Sequence, residues 1–410
     1  MAPGWLRQFG ALLAVQLLIS TSHGIYAPIV SRHLAELGLS GTALTTWTGI
    51  AFAANFLAMI IMLPILGRLG DRIGRKPIMV WSGFGMAAVT SLMAFASHPA
   101  ELTLLRFLQG CFTGILPFSN ILVLTGAPRH RVAFSAGLMQ MMGESGHVLG
   151  PILGAAAMTA LAPRETFPLM SVLLVAGAVI VTLLVREPPR RPAPEAAKTN
   201  LIQDIAAIWR RKPFPHLLLG AFCTNFCITG TSPLLAFYIE RAEHRWWEGG
   251  LNLGFALAVT SLAVILFSPL LGRVADRIGP PVLLKAATGL AIALSVIQAV
   301  TDSYGVIVVC RFLMGLCVAG MLPNIQAQIR RNVAPGMESR TYTIANAWQF
   351  TGSLAGPTIG GVIAGLLGIH GWFWAIALVF GVSLWQAHLA GLSAAAAPAD
   401  RVKRPSAVQS

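Results

Sequence analysis

Long apolar stretches separated by short polar loops run through the whole chain. A helix needs about 20 apolar residues to cross a membrane, and the chain offers twelve such stretches. The predicted spans cover residues 9–30, 45–66, 77–97, 102–124, 132–158, 167–186, 215–238, 251–272, 281–300, 304–326, 341–366 and 371–391. Because most loops between them are short, we expect successive spans to lie side by side and antiparallel. The pattern predicts an all-α membrane protein with twelve transmembrane helices.

One polar, basic and proline-rich segment interrupts this pattern in the middle of the chain. It covers residues 187–214 and separates six predicted spans from six. We therefore predict an N-terminal six-helix bundle over residues 1–186, a cytoplasmic linker over 187–214 and a C-terminal six-helix bundle over 215–393. Residues 394–410 are basic and rich in Ala and Pro, which predicts a disordered cytoplasmic tail.

Sequence repeats relate the two predicted bundles. Residues 67–79 read Gly-Arg-Leu-Gly-Asp-Arg-Ile-Gly-Arg-Lys-Pro-Ile-Met, and residues 272–284 read Gly-Arg-Val-Ala-Asp-Arg-Ile-Gly-Pro-Pro-Val-Leu-Leu, 205 positions later. Shifts of 205 or 206 also pair Pro28 with Pro233, 106–110 with 311–315, and 150–154 with 356–360. Parallel repeats of six spans are typical of a duplicated transporter.

Composition and charge support a membrane location. The chain is 55% hydrophobic and only 11% charged, whereas soluble domains carry roughly 25% charged residues. A net charge of +14 could indicate nucleic-acid binding in a soluble protein, but 23 of the 29 basic residues fall on one side of the predicted topology. This asymmetry predicts a multi-pass protein of a bacterial inner membrane with both termini in the cytoplasm, and no nucleic-acid partner.

Enzymatic and ATP-driven functions find no support in the sequence. A phosphate-binding loop of the form Gly-x-x-x-x-Gly-Lys-Ser/Thr does not occur. The loops contain no metal-ligand cluster or nucleophile–base pair, and they are too short for a catalytic domain. All five cysteines lie in apolar runs, where packing is the expected role. We expect no enzymatic activity, cofactor or metal.

Three motifs resemble those of the major facilitator superfamily. Residues 67–79 are similar to its signature loop between helices 2 and 3. The fourth span resembles its helix-4 motif at Arg106, Gln109, Gly110 and Gly114. The fifth span keeps the spacing of a helix-5 motif found mainly in drug/proton antiporters at Gly137, Gly146, Gly150, Pro151 and Gly154. The resemblance extends over residues 5–392 and implies a twelve-helix multidrug exporter.

The resemblance implies that the signature loop latches the two bundles together on the cytoplasmic side. The loop residues assigned to this role are Gly67, Asp71, Arg72, Gly74 and Arg75. The alternative is a solvated loop that only follows the positive-inside rule. In the second copy, Pro280 and Pro281 replace Arg75 and Lys76, which weakens the case for a matching role of Asp276.

Glu144 is predicted to lie near the middle of the membrane, whereas the other acids lie in loops or at helix ends. It is about 15–18 Å into the fifth span, where an ionised carboxylate is costly. His147 lies on the same helical stripe and can share a proton with Glu144. We predict that both serve proton coupling, with Arg106 assisting as the resemblance implies. The alternatives are a protonated glutamate that bonds between helices and an arginine that reaches the interface.

The helix-5 motif forms a separate stripe. Gly146, Gly150 and Gly154 share one face, which suits close helix packing. Pro151 interrupts the hydrogen-bond ladder of the helix. The motif predicts either a bend that seals the transport path or a packing kink, and the two roles are compatible.

The central cavity is expected between the first helices of each triplet of spans. Its candidate residues are His23, Phe118, Asn120, Asn225 and Asn324. Because the remaining lining is apolar and aromatic, we predict a lipophilic small-molecule substrate. His23 is better explained as a histidine satisfied at a helix interface than as a proton carrier.

These features predict a secondary active transporter that exports lipophilic drugs in exchange for protons by alternating access. Its expected partners are the substrate, protons and the lipid bilayer, and we expect a monomer. The alternatives are an exporter or importer of a specific metabolite such as a sugar, amino acid or siderophore, a non-transporting membrane sensor on the same fold, and an enzyme acting on lipids.

Overall fold

A computed structural model describes residues 3–187, 200–211, 213–242, 246, 251–333 and 336–395. The N-terminal half comprises α1 (Pro3–Glu36), α2 (Gly41–Ile73), α3 (Arg75–Leu92), α4 (Pro99–Cys111), α5 (Ile115–Gly126), α6 (Val132–Ala157) and α7 (Pro163–Leu184). Helix α8 (Leu201–Arg210) follows it. The C-terminal half comprises α9 (Phe214–Arg241), α10 (Leu251–Ile278), α11 (Pro280–Val300), α12 (Tyr304–Asn332) and α13 (Glu338–Ala395). Short 3₁₀ turns cover Met93–Phe95 and Arg129–Arg131.

The predicted fold class is confirmed, with twelve membrane crossings in two bundles of six. Among the described residues, ten helical stretches are long and apolar enough to cross a membrane. One of them, Glu338–Trp385, contains two crossings because α13 turns at Gly368, whose φ of 73° favours glycine. Another, Pro99–Gly126, joins α4 and α5. The twelfth crossing is α6, a 26-residue helix that carries Gln140, Glu144 and His147 and is not among these ten stretches.

The linker contains a helix that its composition did not predict. Asn200 and Gln203 form a capping box at the start of α8. Ile205 and Ile208 lie on one face of this helix and pack against the apolar core. Much of the rest of the predicted linker and almost all of the predicted tail lie outside the described residues.

The largest apolar core that the two halves share lies at one end of the bundle, and a smaller cluster joins Leu63 of α2 to Ala347 of α13. We call the end with the largest core the basic end, where α2 meets α3, α10 meets α11, and both α6 and α13 begin. Leu122 of the N-terminal half lies in one cluster with Leu217 and Ile325 of the C-terminal half there. Towards the opposite end, each half has its own cluster, one around Phe167 and one around Trp372. The halves are therefore joined at the basic end.

The glycines of the fifth crossing bring α6 against α1 within the N-terminal half. A Cβ atom at Gly146 would lie 2.6 Å from Ser20 Cβ, and one at Gly150 would lie 2.5 Å from Gly24 Cα. Gly352 and Gly356 make the matching approach of α13 to α9. Contacts this short leave no room for a side chain, so close helix packing explains these glycines.

We predict that Gly150→Val destabilises the folded protein, because its Cβ would overlap the backbone of α1. Overpacking of this kind typically costs about 1–3 kcal/mol. The measurement is the apparent melting temperature of purified protein in detergent. Gly361→Val is the matched control, because a Cβ atom there meets nothing within 4 Å. Equal melting temperatures for the two variants would contradict the prediction.

Candidate functional site

Two loops at the basic end turn sharply at glycines, and an acid lies just before each turn. Gly74 has φ 113° between α2 and α3, and Gly279 has φ 98° between α10 and α11. Both values lie in the region that glycine tolerates best. Asp71 and Asp276 each lie three residues before their glycine. Each carboxylate contacts a helix of the other half of the molecule.

Asp71 binds the first turn of α13 in the other half. Its carboxylate accepts hydrogen bonds from the backbone N–H groups of Ser339 and Arg340, at 3.1 and 3.2 Å. The Nε atom of Arg340 lies 3.4 Å from the same carboxylate. The first N–H groups of a helix lack partners within the helix and carry partial positive charge. Asp71 therefore caps α13 across the interface between the halves.

Asp276 caps α6 in the same way. It accepts hydrogen bonds from the backbone N–H groups of Ala133 and Phe134, at 3.1 and 2.9 Å. These residues hold the same places at the start of α6 that Ser339 and Arg340 hold at the start of α13. The sequence weakened the case for a matching role of Asp276, yet its geometry matches that of Asp71, because both acids bind backbone groups.

Glycines allow the paired helices to approach. A Cβ atom at Gly67 would lie 1.9 Å from Thr343 Oγ1, so α2 contacts α13 directly. A Cβ atom at Gly272 would lie 2.5 Å from the carbonyl oxygen of Ala133, so α10 contacts α6. We call these contacts the α2–α13 seam and the α6–α10 seam.

Arg75 adds bonds to the α2–α13 seam that the other seam lacks. Its guanidinium donates to the hydroxyls of Ser339 and Thr125, at 3.2 and 2.9 Å, and lies 3.5 Å from Glu338. From the other half, Arg330 donates to carbonyl oxygens at the end of α5. Arg72 is exposed at the end of α2.

The linker helix takes part in the same network. Asp204 of α8 accepts two hydrogen bonds from the Nη1 atom of Arg340, at 3.0 and 3.1 Å. Both residues are only 2% exposed. Arg340 thus joins the linker, the N-terminal half and the first turn of α13. The sequence pattern did not indicate this role. The one signal for Asp204 was an acid on an apolar helical face of the linker.

Glu144 lies at the α6–α10 seam, about 18 Å from the start of α6 at 1.5 Å per residue. The hydroxyl of Ser261 on α10 is its polar neighbour. One turn nearer the basic end, Gln140 accepts a hydrogen bond from Ser268 of α10 at 2.9 Å. Glu144 therefore faces the other half of the protein and has a polar neighbour there.

Three further polar residues lie near Glu144. His147 is an electrostatic neighbour of both Glu144 and His23, and His23 is also a neighbour of Arg106. Arg106 is 5% exposed, and its guanidinium lies 3.6 Å above the ring of Tyr26. In the described part of the chain, no carboxylate lies within salt-bridge distance of Arg106. The structure thus brings the predicted proton-coupling residues into one region.

Apart from His23, which lies near Arg106 and His147, the predicted cavity residues divide into two groups. Asn225 and Asn120 are partly exposed, and the side-chain oxygen of Asn225 lies 3.4 Å from the amide nitrogen of Gln349 on α13. Phe118 and Asn324 are buried within their own halves, and Phe118 fills the space beside Gly70. In this conformation Phe118 and Asn324 do not face open space.

The protein has two homologous halves of six crossings, and at one end an acid from each half caps a helix of the other. This arrangement defines a twelve-helix membrane transporter. Residues 12–280 and 249–408 match the family model described as Major Facilitator Superfamily. The chain belongs to this superfamily, as its motifs indicated. Members of this family are transporters and not enzymes.

Curated relatives and solved structures agree with this assignment. The multidrug resistance protein MdtG of Enterobacter lignolyticus is 28% identical over 410 residues, which cover 98% of this chain and 96% of the relative. The MdtG of Proteus mirabilis is 29% identical over 368 residues, 88% of this chain and 90% of the relative. The human organic anion transporter MFSD10 superposes with a TM-score of 0.77 at 16% identity, over 94% of this chain and all of that one. The Escherichia coli fucose:proton symporter FucP superposes with a TM-score of 0.75 at 14% identity, over 94% of this chain and 99% of that one.

We predict that Asp204→Asn lowers the stability of the protein, because it removes one of the two carboxylates that pair with the buried Arg340 and leaves only Asp71. Breaking a buried ion pair from one side typically costs about 3–5 kcal/mol. The control is Asp302→Asn, whose partner His370 is 3.2 Å away on the surface and whose loss costs at most about 1 kcal/mol. The measurement is the melting temperature of each purified variant, which should be lower for Asp204→Asn than for Asp302→Asn. A control that melts as low as Asp204→Asn would refute the prediction.

Proposed function

We propose that this protein exports lipophilic compounds from bacterial cells in exchange for protons. The observation that carries this proposal is the position of Glu144 at a seam between the two halves. A carboxylate deep in a membrane protein is costly when ionised and is most often functional. The curated relatives named multidrug resistance proteins support export of drugs.

Alternating access accounts for the seams. In the proposed orientation the basic end faces the cytoplasm, in agreement with the positive-inside rule. The described conformation then corresponds to the state open to the outside, because the hydrogen bonds between the halves lie along the two seams and at the basic end. Opening towards the cytoplasm requires Asp71 and Asp276 to leave the helices that they cap. The signature loop is in this proposal the latch of the cytoplasmic gate.

Protonation of Glu144 is the proposed coupling step. In the outward-open state, His147 is exposed and can pass a proton to Glu144 by way of the outer cavity. A neutral Glu144 can remain buried when the outer end closes, whereas an ionised one resists burial. Release to the cytoplasm completes the exchange. A proton that moves down the membrane potential supplies about 2.3 kcal/mol per 100 mV.

The proposed substrate site lies between α9 and α13 on one side and the N-terminal half on the other. Phe222 and Trp348 meet there edge to face, with ring centroids 6.3 Å apart. Aromatic surfaces with few polar groups suit lipophilic solutes. The amides of Asn225 and Gln349 also favour a second candidate, a specific polar metabolite, because they could position hydroxyl or carboxylate groups.

A drug-susceptibility panel in an efflux-deficient bacterial host tests the proposed function. We expect expression of the protein to raise resistance to several lipophilic compounds, and a protonophore to abolish the gain. An empty vector and a transport-dead variant are the controls. If no lipophilic compound is exported but one polar metabolite is, the second candidate replaces the first.

We predict that Glu144→Gln abolishes proton-coupled efflux, because the amide cannot carry the proton. The measurement is drug-driven proton movement by purified protein in liposomes. Glu36→Gln, on the exposed last turn of α1, is the matched control and is expected to behave like wild type. Unchanged coupling in Glu144→Gln would remove this residue from the mechanism.

We predict that Asp71→Asn and Asp276→Asn both impair transport at near-normal expression, because each weakens the capping of a helix in the other half. Spin labels on the basic ends of α2 and α13 should report longer mean distances in Asp71→Asn, while labels on α6 and α10 should do so in Asp276→Asn. A solvated loop without a latch role would leave both transport and distances unchanged.

A further inference from the structure

A cleft opens inside the C-terminal half, apart from both seams. It lies between α9, α11, α12 and the second part of α13, and it encloses a cavity of about 40 Å³ that is partly open to the outside. Among the residues that line it are His216, Gly220, Thr224, Lys285, Thr288 and Gln328. Most of the remaining lining is apolar.

At the matching place in the N-terminal half, larger side chains stand where the cleft has Gly220 and Thr224. The shift of 205 pairs Gly220 with Val15 and Thr224 with Ile19. Both Val15 and Ile19 are fully buried in the apolar core. Contacts support this alignment, since Gly150 packs on the carbonyl of Thr21 as Gly356 packs on that of Phe226, 205 positions on.

A second difference lies between α11 and the second part of α13. Thr288 of α11 matches Gly83 of α3. A Cβ atom at Gly83 would lie 2.7 Å from Ala178 Cβ, so α3 and α7 pack closely there. The side chain of Thr288 occupies this position between α11 and the second part of α13. The two halves thus differ in side-chain size at three matching positions around the cleft.

The cleft also acquires polar groups at its basic end. Lys285 replaces Val80, and His216 replaces Ala11. Lys285 and His216 lie in the first two turns of α11 and α9, at the level of the membrane surface. The Nε2 atom of Gln328 is buried without a hydrogen-bond partner. From His216 to Thr224 the wall extends about 12 Å into the bundle, at 1.5 Å per residue.

We propose that the cleft binds an anionic membrane phospholipid. Its phosphate contacts Lys285 and the amide of Gln328 at the basic end, and one acyl chain lies along Gly220 and Thr224. Cationic pockets between transmembrane helices favour anionic headgroups in this way. A phospholipid fits both parts of the cleft, because its charge lies at the membrane surface and its chain lies deeper.

Native mass spectrometry of the full-length protein tests this proposal. The protein is incubated in detergent with equal amounts of dioleoyl phosphatidylglycerol and dioleoyl phosphatidylcholine, and the retained lipid is counted. We expect wild type to retain more phosphatidylglycerol than phosphatidylcholine. In Lys285→Val the retained phosphatidylglycerol should fall about fivefold, as removal of one cation near a membrane surface predicts. Gly220→Val, which installs the residue of the other half, should lower retention of both lipids.

Two controls separate the cleft from the general surface. Arg277→Ala removes an exposed cation at the same end, and Gly289→Val adds a side chain where a Cβ atom meets nothing within 4 Å. Both should retain lipid like wild type. Thr224→Ile replaces Gly220→Val if the latter does not fold. Equal retention of the two lipids by wild type, or unchanged retention in Lys285→Val and the filled variants, would overturn the proposal.

Discussion

The first turn of a helix carries N–H groups that need acceptors, and two helices of this transporter obtain them from the opposite half of the molecule. Asp71 supplies the acceptor for α13, and Asp276 supplies it for α6. The other features of the basic end follow from these two contacts. Gly67 and Gly272 are small because the capped helices pass so close, and the largest apolar cluster crosses between the halves there.

The sequence predicted the architecture well because the apolar spans and the repeat at 205 residues are local and periodic signals. It also singled out the loop around Asp71 and the depth of Glu144. It did not predict Asp204, Arg340 or the capping by Asp276. Those contacts join residues more than 130 positions apart, and two of the partners are backbone groups that every sequence has.

Burial also depends on the conformation, which sequence alone does not specify. Phe118 and Asn324 lie on helices that line the centre of the fold, so their assignment to the cavity followed from topology. With the basic end closed, these side chains pack inside their own halves. The duplication has a similar limit. Equivalent positions in the two halves keep the same helix contacts, but their side chains serve different purposes.

The unequal composition of the two seams has a consequence for the order of events in transport. The α2–α13 seam carries Arg75, Arg340 and the linker acid in addition to its capping carboxylate, whereas the α6–α10 seam has fewer charged contacts. The halves should then separate first along the weaker line of contact and pivot about the stronger one. In the proposed mechanism, the first water to enter from the basic end would thus arrive beside Glu144, at the moment when its proton has to leave.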